Sequence, residues 1–152
     1  KNSEDYEARS NIMWCATIGL NTVTGLSKQQ DWEVHMIEHQ IGAYTDCAHG
    51  AGLAAISVPY YKYICKYGTD KFVRFAKNVW GINTDGMSKD DAALAGIECL
   101  KEFIKSIELP LSLKELGATE EMLPLIAKST IPGGGYKQMN AEDILTVLKE
   151  SF

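Results

Sequence analysis

Apolar side chains recur at spacings of three and four along almost the whole chain, the period of an amphipathic helix. We find no convincing run of alternating apolar and polar residues, which a half-buried strand requires. The pattern therefore predicts a compact all-α domain of about seven or eight helices. The predicted helical segments are 4–24, 31–44, 49–67, one beginning at 69, 88–108, a short turn at 112–117, 120–128 and 140–150.

Cap-forming residues set the predicted helix boundaries. Side chains of Ser, Thr, Asp and Asn accept hydrogen bonds from the free N–H groups of a first turn, and glycine often follows a last turn. The predicted N-caps are Ser3, Asp31, Thr69, Ser88, Thr119 and Asn140, and the predicted stops are Gly25 and Gly68. In the first helix the predicted buried stripe is Ile12, Ala16, Leu20 and Val23.

The amino-acid composition argues against some classes of binding partner. The 152 residues suffice for one domain with its own core. With 15 basic and 20 acidic residues and no basic run, the net charge of −5 argues against nucleic acid or an anionic membrane as a partner. We expect no membrane span and no signal peptide, because the most apolar stretch is interrupted by polar residues and the first residues are polar and acidic. Four cysteines without a CxxC pair predict reduced thiols and a cytoplasmic location.

The chain contains three histidines, and all of them fall between residues 35 and 49. His35 and His39 are four residues apart, so on a helix their Cβ atoms lie about 5–6 Å apart on one face. A turn after Tyr44 would bring His49 beside them. Three imidazoles in this arrangement suit a divalent metal, although isolated histidines are more often simply solvated or hydrogen-bonded. Met36 follows His35 where a zinc protease helix has glutamate, so the HExxH motif is absent.

The residues around the third histidine are unusually small. Ala48 to Ala55 reads Ala-His-Gly-Ala-Gly-Leu-Ala-Ala. Such a segment permits close approach of another backbone or of a flat ligand, and it is equally typical of tight helix packing. The sequence leaves both interpretations open.

The histidine segment carries a family resemblance. Asp31-Trp-Glu-Val-His-Met-Ile-Glu-His39, followed by Ala48-His49-Gly50, Leu53-Ala54 and Pro59, resembles the C-terminal helical domain of the iron-containing (group III) alcohol dehydrogenases, in particular the NADPH-dependent butanol dehydrogenase branch. The segments Tyr6 to Trp14 and Tyr67 to Gly81 extend the similarity. The resemblance implies the C-terminal half of the dehydroquinate synthase-like fold, with residues 1–152 as the helical metal-binding domain.

The resemblance also implies roles for the three histidines. His35 and His49 correspond to metal ligands, and His39 corresponds to the histidine near the nicotinamide and substrate that assists proton transfer. The other two ligands, an aspartate and a histidine, belong in the family to a preceding nucleotide-binding domain that these 152 residues lack. The glycine run Gly133 to Gly135 matches neither GxGxxG nor GxxxxGK[ST], so we predict a loop there.

The implied reaction is reversible hydride transfer between a small alcohol or aldehyde and NADP(H) or NAD(H). Iron is the metal that the resemblance favours, with zinc as an alternative, because imidazole accepts either. The implied protein partners are the chain's own N-terminal nucleotide-binding domain and a second copy in a homodimer. With two of four ligands, the chain alone is predicted to be inactive.

Two functions from other classes stay open. A helical protein-interaction module without catalysis would bury similar apolar faces against a partner. A hydrolase in which His35, His39 and His49 all bind zinc, with Glu38 as the base, is disfavoured by the missing HExxH motif.

Overall fold

The computed structural model describes residues 2–152, and every regular element in that range is helical. This confirms the all-α prediction. The described residues form seven α-helices: α1 Tyr6–Leu20, α2 Glu33–Thr45, α3 His49–Ile64, α4 Thr69–Trp80, α5 Lys89–Ser106, α6 Met122–Ser129 and α7 Ala141–Glu150. Short 3₁₀ turns occupy Val23–Gly25, Cys65–Tyr67 and Lys114–Leu116. None of the helices in the described range is long and apolar enough to cross a bilayer.

The chain divides into two compact units. The first ends at Gln30 and contains α1, and the second is Asp31–Phe152 with α2 to α7. All three histidines lie in the second unit. The first unit is too short to build a core of its own, because about thirty residues bury little apolar surface.

The first unit differs from the sequence prediction at both ends of its helix. Asp5 rather than Ser3 caps α1, since its carboxylate accepts the Ala8 amide at 2.9 Å. The helix ends at Leu20, because Thr22 adopts a left-handed backbone with φ of 71°. The predicted buried stripe is wrong: Ile12, Ala16, Leu20 and Val23 are all exposed. The apolar side chains of α1 point to several sides of the helix, so their spacing alone does not identify a buried face.

Helix α3 occupies the centre of the second unit. It packs against α2, α5 and α7, while α4 lies along α5 and α6 along α7. One core cluster joins α2, α3, α6 and α7 through Ile37, Ile41, Ile56, Tyr60, Ile126, Ile144 and Leu148. A smaller cluster between α3 and α5 contains Ala54, Val58, Ile97 and Ile104. Helix α3, whose first residue is His49, is therefore held by three other helices of the unit.

The predicted course of the third helix is confirmed. α3 and the 3₁₀ turn after it run from His49 to Tyr67 and end at Gly68. The small residues Gly52, Ala54 and Ala55 are buried, so this part of the segment serves tight helix packing. Gly50, by contrast, is exposed.

Some predicted caps form and others do not. The Ser88 hydroxyl accepts the Asp91 amide at 3.1 Å, and Asn140 forms a capping box with Asp143. Thr69 is instead the first residue of α4, where its hydroxyl donates back to the Cys65 carbonyl at 3.1 Å. Thr119 lies in a turn before α6, which begins only at Met122. Short polar side chains bond to several nearby backbone groups, so their presence does not by itself identify a helix start.

A close approach of α4 and α5 predicts a destabilising substitution. A Cβ atom at Gly96 of α5 would lie 2.8 Å from Cβ and 2.9 Å from Cα of Ala76 in α4. We expect Gly96→Ala to lower the free energy of unfolding by about 1–3 kcal/mol, because overpacking outweighs the better helix propensity of alanine. Urea unfolding measures the change. Gly50→Ala is the control, since a Cβ there meets nothing within 4 Å; equal stability of the two variants would contradict the prediction.

Candidate metal centre

Two consecutive helices bring the three histidines together. His35 and His39 lie one turn apart on α2, and His49 is the first residue of α3. Helix α2 ends because Asp46 takes a left-handed backbone with φ of 55° while its amide still donates to the Gly42 carbonyl at 2.8 Å. The short reversal from Asp46 to Ala48 then returns the chain to the face that carries the first two histidines.

The three imidazole rings form one cluster. One ring nitrogen from each of His35, His39 and His49 lies within 4.8 Å of the others. Ring centroids are 5.3 Å apart for His35 and His49 and 5.7 Å apart for His39 and His49. His35 is partly buried, whereas His39 and His49 are exposed. The cluster is thus accessible from solvent on the side of His39 and His49.

His35 is the most buried of the three histidines. Its ring centroid is 5.0 Å from that of Trp32. Burial lowers the pKa of His35, the neighbouring His49 and His39 lower it further, and the Glu38 carboxylate opposes them. A lowered pKa favours neutral imidazole, which is the form that binds metal.

Glu38 contacts the cluster from the protein interior. The residue is only 2% exposed, and its Oε2 is hydrogen-bonded to Nδ1 of His49 across the interface between α2 and α3. The carboxylate occupies space left by Gly52, where a Cβ atom would lie 2.7 Å from both Cγ and Oε1 of Glu38. The absence of a side chain at Gly52 therefore allows the contact between the two helices.

An apolar cleft of about 560 Å³ lies beside the cluster. Gly50, the residue after His49, contributes to its wall, and the polar side chains of Asp31, Ser57 and Lys71 also line it. Most of the lining is apolar and comes from α3, α4 and α5, including Leu53, Tyr61, Phe72, Phe75, Leu100 and Phe103. This volume is typical of sites for small molecules.

The glycine run is a loop, as predicted from the sequence, and it is anchored at the start of α2. The buried Glu33 carboxylate accepts the Gly133 amide at 2.5 Å, and Asp31 accepts the Tyr60 hydroxyl at 2.6 Å. A Cβ at Gly133 would lie 2.6 Å from the Asp31 carbonyl oxygen, so the close approach requires glycine. Burial raises the pKa of Glu33, partly offset by the Gly133 hydrogen bond.

Comparison with known proteins identifies the family. The sequence of residues 1–152 matches the family model described as the Fe-containing alcohol dehydrogenase family, C-terminal. The chain belongs to this family. It is 35% identical to NADH-dependent butanol dehydrogenase A of Clostridium acetobutylicum over 160 aligned positions, which cover 100% of the chain and 40% of that enzyme. The chain therefore spans about two fifths of the length of this relative.

Two further relatives support the same fold. A crystal structure of NADH-dependent butanol dehydrogenase A from Thermotoga maritima superposes with a TM-score of 0.87 at 34% identity, covering 96% of this chain and 39% of that one. The NADPH-dependent aldehyde reductase YqhD of Escherichia coli is 30% identical over 128 residues, which are 84% of this chain and 33% of that enzyme. The all-α unit thus has the fold of the C-terminal domain of iron-type alcohol dehydrogenases.

All three clustered histidines are evident from the sequence, whereas the role of Glu38 as the hydrogen-bond partner of His49 is not. A signal for Glu38 was present, because Val34, Ile37, Glu38 and Ile41 follow the helical spacing of a core-facing stripe. A glutamate within such a stripe needs a buried partner. The sequence does not indicate that this partner is His49, since the contact also depends on the space at Gly52.

Proposed function

We propose that residues 1–152 are the C-terminal, metal-binding part of an alcohol or aldehyde oxidoreductase that uses NADH or NADPH. The observation that carries the proposal is the convergence of His35, His39 and His49 within 4.8 Å at the side of an apolar cleft. Membership of the iron-type family supplies the reaction class. Because the relatives named above differ between NADH and NADPH, the proposal covers both coenzymes.

The donor set fits a divalent metal ion. Two imidazole nitrogens bound to one ion at about 2.0–2.1 Å lie no more than about 4.2 Å apart. Nitrogens already within 4.8 Å need only small ring rotations to reach that separation. We assign His35 and His49 as ligands, with the remaining ligands from an N-terminal nucleotide-binding domain. Iron is our first choice and zinc our second, since both accept imidazole. A bound ion supplies Lewis-acid polarisation of the substrate oxygen.

We assign His39 to proton transfer near the nicotinamide. Its ring is exposed, and it stacks at an angle beside His49 rather than between the two ligands. A histidine there can hold the proton that an alcohol loses and return it to an aldehyde that gains hydride. The apolar walls of the cleft would accept the hydrocarbon part of such a substrate and exclude water from it.

The other candidate functions receive less support. Glu38 is buried and engaged by His49, which argues against its acting as the base of a three-histidine hydrolase. The exposed apolar side chains Tyr6, Met13 and Trp14 on α1 favour a protein contact, as a helical interaction module would have. In our proposal the partners at such surfaces are the N-terminal domain and a second copy of the chain. The cytoplasmic location predicted from the four cysteines is retained as part of the proposal.

An activity measurement tests the proposal. We expect the chain joined to its nucleotide-binding domain to oxidise NADH or NADPH when given a short aldehyde such as butanal, and to lose the activity after chelation. Added Fe²⁺ or Zn²⁺ should restore it. The 152-residue chain alone should be inactive, because it supplies two ligands and no coenzyme-binding domain. Metal-dependent aldehyde reduction by the isolated chain, or chelator-resistant activity of the longer one, would contradict the proposal.

A further inference from the structure

We propose that Glu38 is a positioning residue that fixes the tautomer of His49 and aims its Nε2 at the metal. The inference rests on the proposed function for its metal. It stands on a contact inside this chain: Oε2 of Glu38 is hydrogen-bonded to Nδ1 of His49. An ionised carboxylate only accepts hydrogen bonds, so in a neutral His49 ring Nδ1 is the nitrogen that carries the proton. The lone pair then lies on Nε2, which is left free to bind an ion.

The position of His49 makes such a partner necessary. His49 is the first residue of α3, and its side chain is 53% exposed, so packing constrains only part of its ring. Glu38 lies on the neighbouring helix between the core residues Ile37 and Ile41, and it is almost fully buried. A rigid, buried acceptor therefore orients a ligand whose other side is open to solvent.

The packing around Glu38 leaves little room for another position of its carboxylate. Gly52 faces Cγ and Oε1 of Glu38 so closely that a Cβ atom would lie 2.7 Å from each. A Cβ at Gly42, one turn later on α2, would also reach Oε1, at 3.5 Å. Gly52→Ala thus displaces the carboxylate while keeping every ionisable group of the site. Gly50→Ala, two residues earlier on the same helix, is its matched control, because a Cβ there meets nothing within 4 Å.

The first experiment reads the tautomer without metal. Long-range ¹H–¹⁵N spectra of the metal-free, full-length protein, with His49 assigned by its alanine variant, should show the Nδ1–H form. We expect Glu38→Ala and Gly52→Ala to shift His49 toward the Nε2–H form, and Gly50→Ala to leave it unchanged. An Nε2–H form in the wild type, or an Nδ1–H form that survives in Glu38→Ala, would overturn the inference.

The second experiment measures metal affinity by titration with Co²⁺. Glu38→Ala and Gly52→Ala should raise the dissociation constant about 10–100-fold, the usual effect of removing the outer partner of a metal-binding histidine. Glu38→Gln should cost less than about 10-fold, because its amide oxygen can accept the same hydrogen bond at nearly the same volume. Gly50→Ala should stay within about twofold of the wild type. Urea unfolding of each variant identifies any loss of affinity that arises from misfolding.

The outcomes separate the two proposals. If His49→Ala binds Co²⁺ as tightly as the wild type, the proposed metal site fails, whereas the tautomer spectra still decide the role of Glu38. If His49→Ala loses Co²⁺ and Glu38→Ala does not, the metal site stands and the positioning role is overturned. If Glu38→Gln loses Co²⁺ as completely as His49→Ala, Glu38 is itself a ligand and the positioning role is again overturned.

Discussion

If the proposed metal site is right, alanine at His35 or His49 of the full-length protein is expected to abolish metal binding, whereas alanine at His39 should leave it intact. His35 and His49 are our assigned ligands, and losing one should weaken binding by more than the roughly 100-fold cost of losing an outer partner. His39 is assigned to proton transfer, so its loss should lower turnover about 10²–10⁴-fold with metal retained. Elemental analysis and steady-state kinetics of the purified variants measure the two effects separately.

A nearby cysteine provides the control for these variants. Cys47 is partly buried two residues before His49, and its thiol is free. Cys47→Ala disturbs the same reversal of the chain without removing an imidazole, so it should retain both metal and activity. If His39→Ala loses the metal and His35→Ala binds as much metal as the wild type, the assignment of His35 and His49 as the two ligands is wrong. Full turnover in His39→Ala would remove its catalytic assignment.

Sequence predicts the parts of this fold that depend on neighbouring residues. The third helix was predicted because Gly68 ends it and because apolar residues follow helical spacing from His49 onward. Ser88 and Asn140 cap their helices through contacts three residues away. The prediction of Thr69 as an N-cap is wrong, because its hydroxyl donates to the Cys65 carbonyl instead of accepting from the first turn of α4. The identity of the residue does not show which of these two hydrogen bonds will form. The prediction of a buried stripe on α1 is wrong, because apolar spacing identifies a face of a helix but not whether other residues cover that face.

In the candidate site, too, the sequence predicts what depends on neighbouring residues and does not predict what depends on contacts between distant ones. Spacing and a short reversal were sufficient to predict that His35, His39 and His49 converge. The bond between Glu38 and His49 requires two helices to approach at Gly52, which is a tertiary event. The cleft likewise needs α3, α4 and α5 in their packed positions, so the sequence alone gave no indication of it. Long-range packing therefore supplies the orientation of the site, while local sequence brings its three imidazoles together.

The largest stability effect is expected at Asp143, which joins three parts of the second unit. Its carboxylate accepts the Tyr63 hydroxyl of α3 at 2.5 Å, the Asn140 amide at 3.1 Å and the Lys137 ammonium group. The Asn140 contact completes the capping box of α7. Asp143→Ala should lower the free energy of unfolding by about 2–4 kcal/mol, because it removes a helix cap and charge-assisted hydrogen bonds. Urea unfolding at neutral pH measures this loss.

The pH dependence of that loss tests its electrostatic origin. Partial burial alone would raise the pKa of Asp143, but Lys137, Tyr63 and the Asn140 amide outweigh it and hold the pKa below its ordinary value of 3.8. Because the folded pKa lies below the unfolded one, the carboxylate stabilises the fold fully above about pH 5 and progressively less as pH falls through the folded pKa. The difference in stability between wild type and Asp143→Ala should therefore shrink below about pH 4.

Two further variants test whether the charge of Asp143 or its packing stabilises the fold. Asp143→Asn keeps the volume and an acceptor oxygen but loses the charge, so it should be intermediate in stability and its difference from the wild type should also shrink in acid. Asp70 forms an ion pair with Lys89 at 2.7 Å in which both side chains are exposed, so Asp70→Ala should change stability little at any pH. A loss in Asp143→Ala that stays constant from pH 3 to pH 7 would mean that packing, rather than the paired charge, holds α3, α7 and the loop between α6 and α7 together.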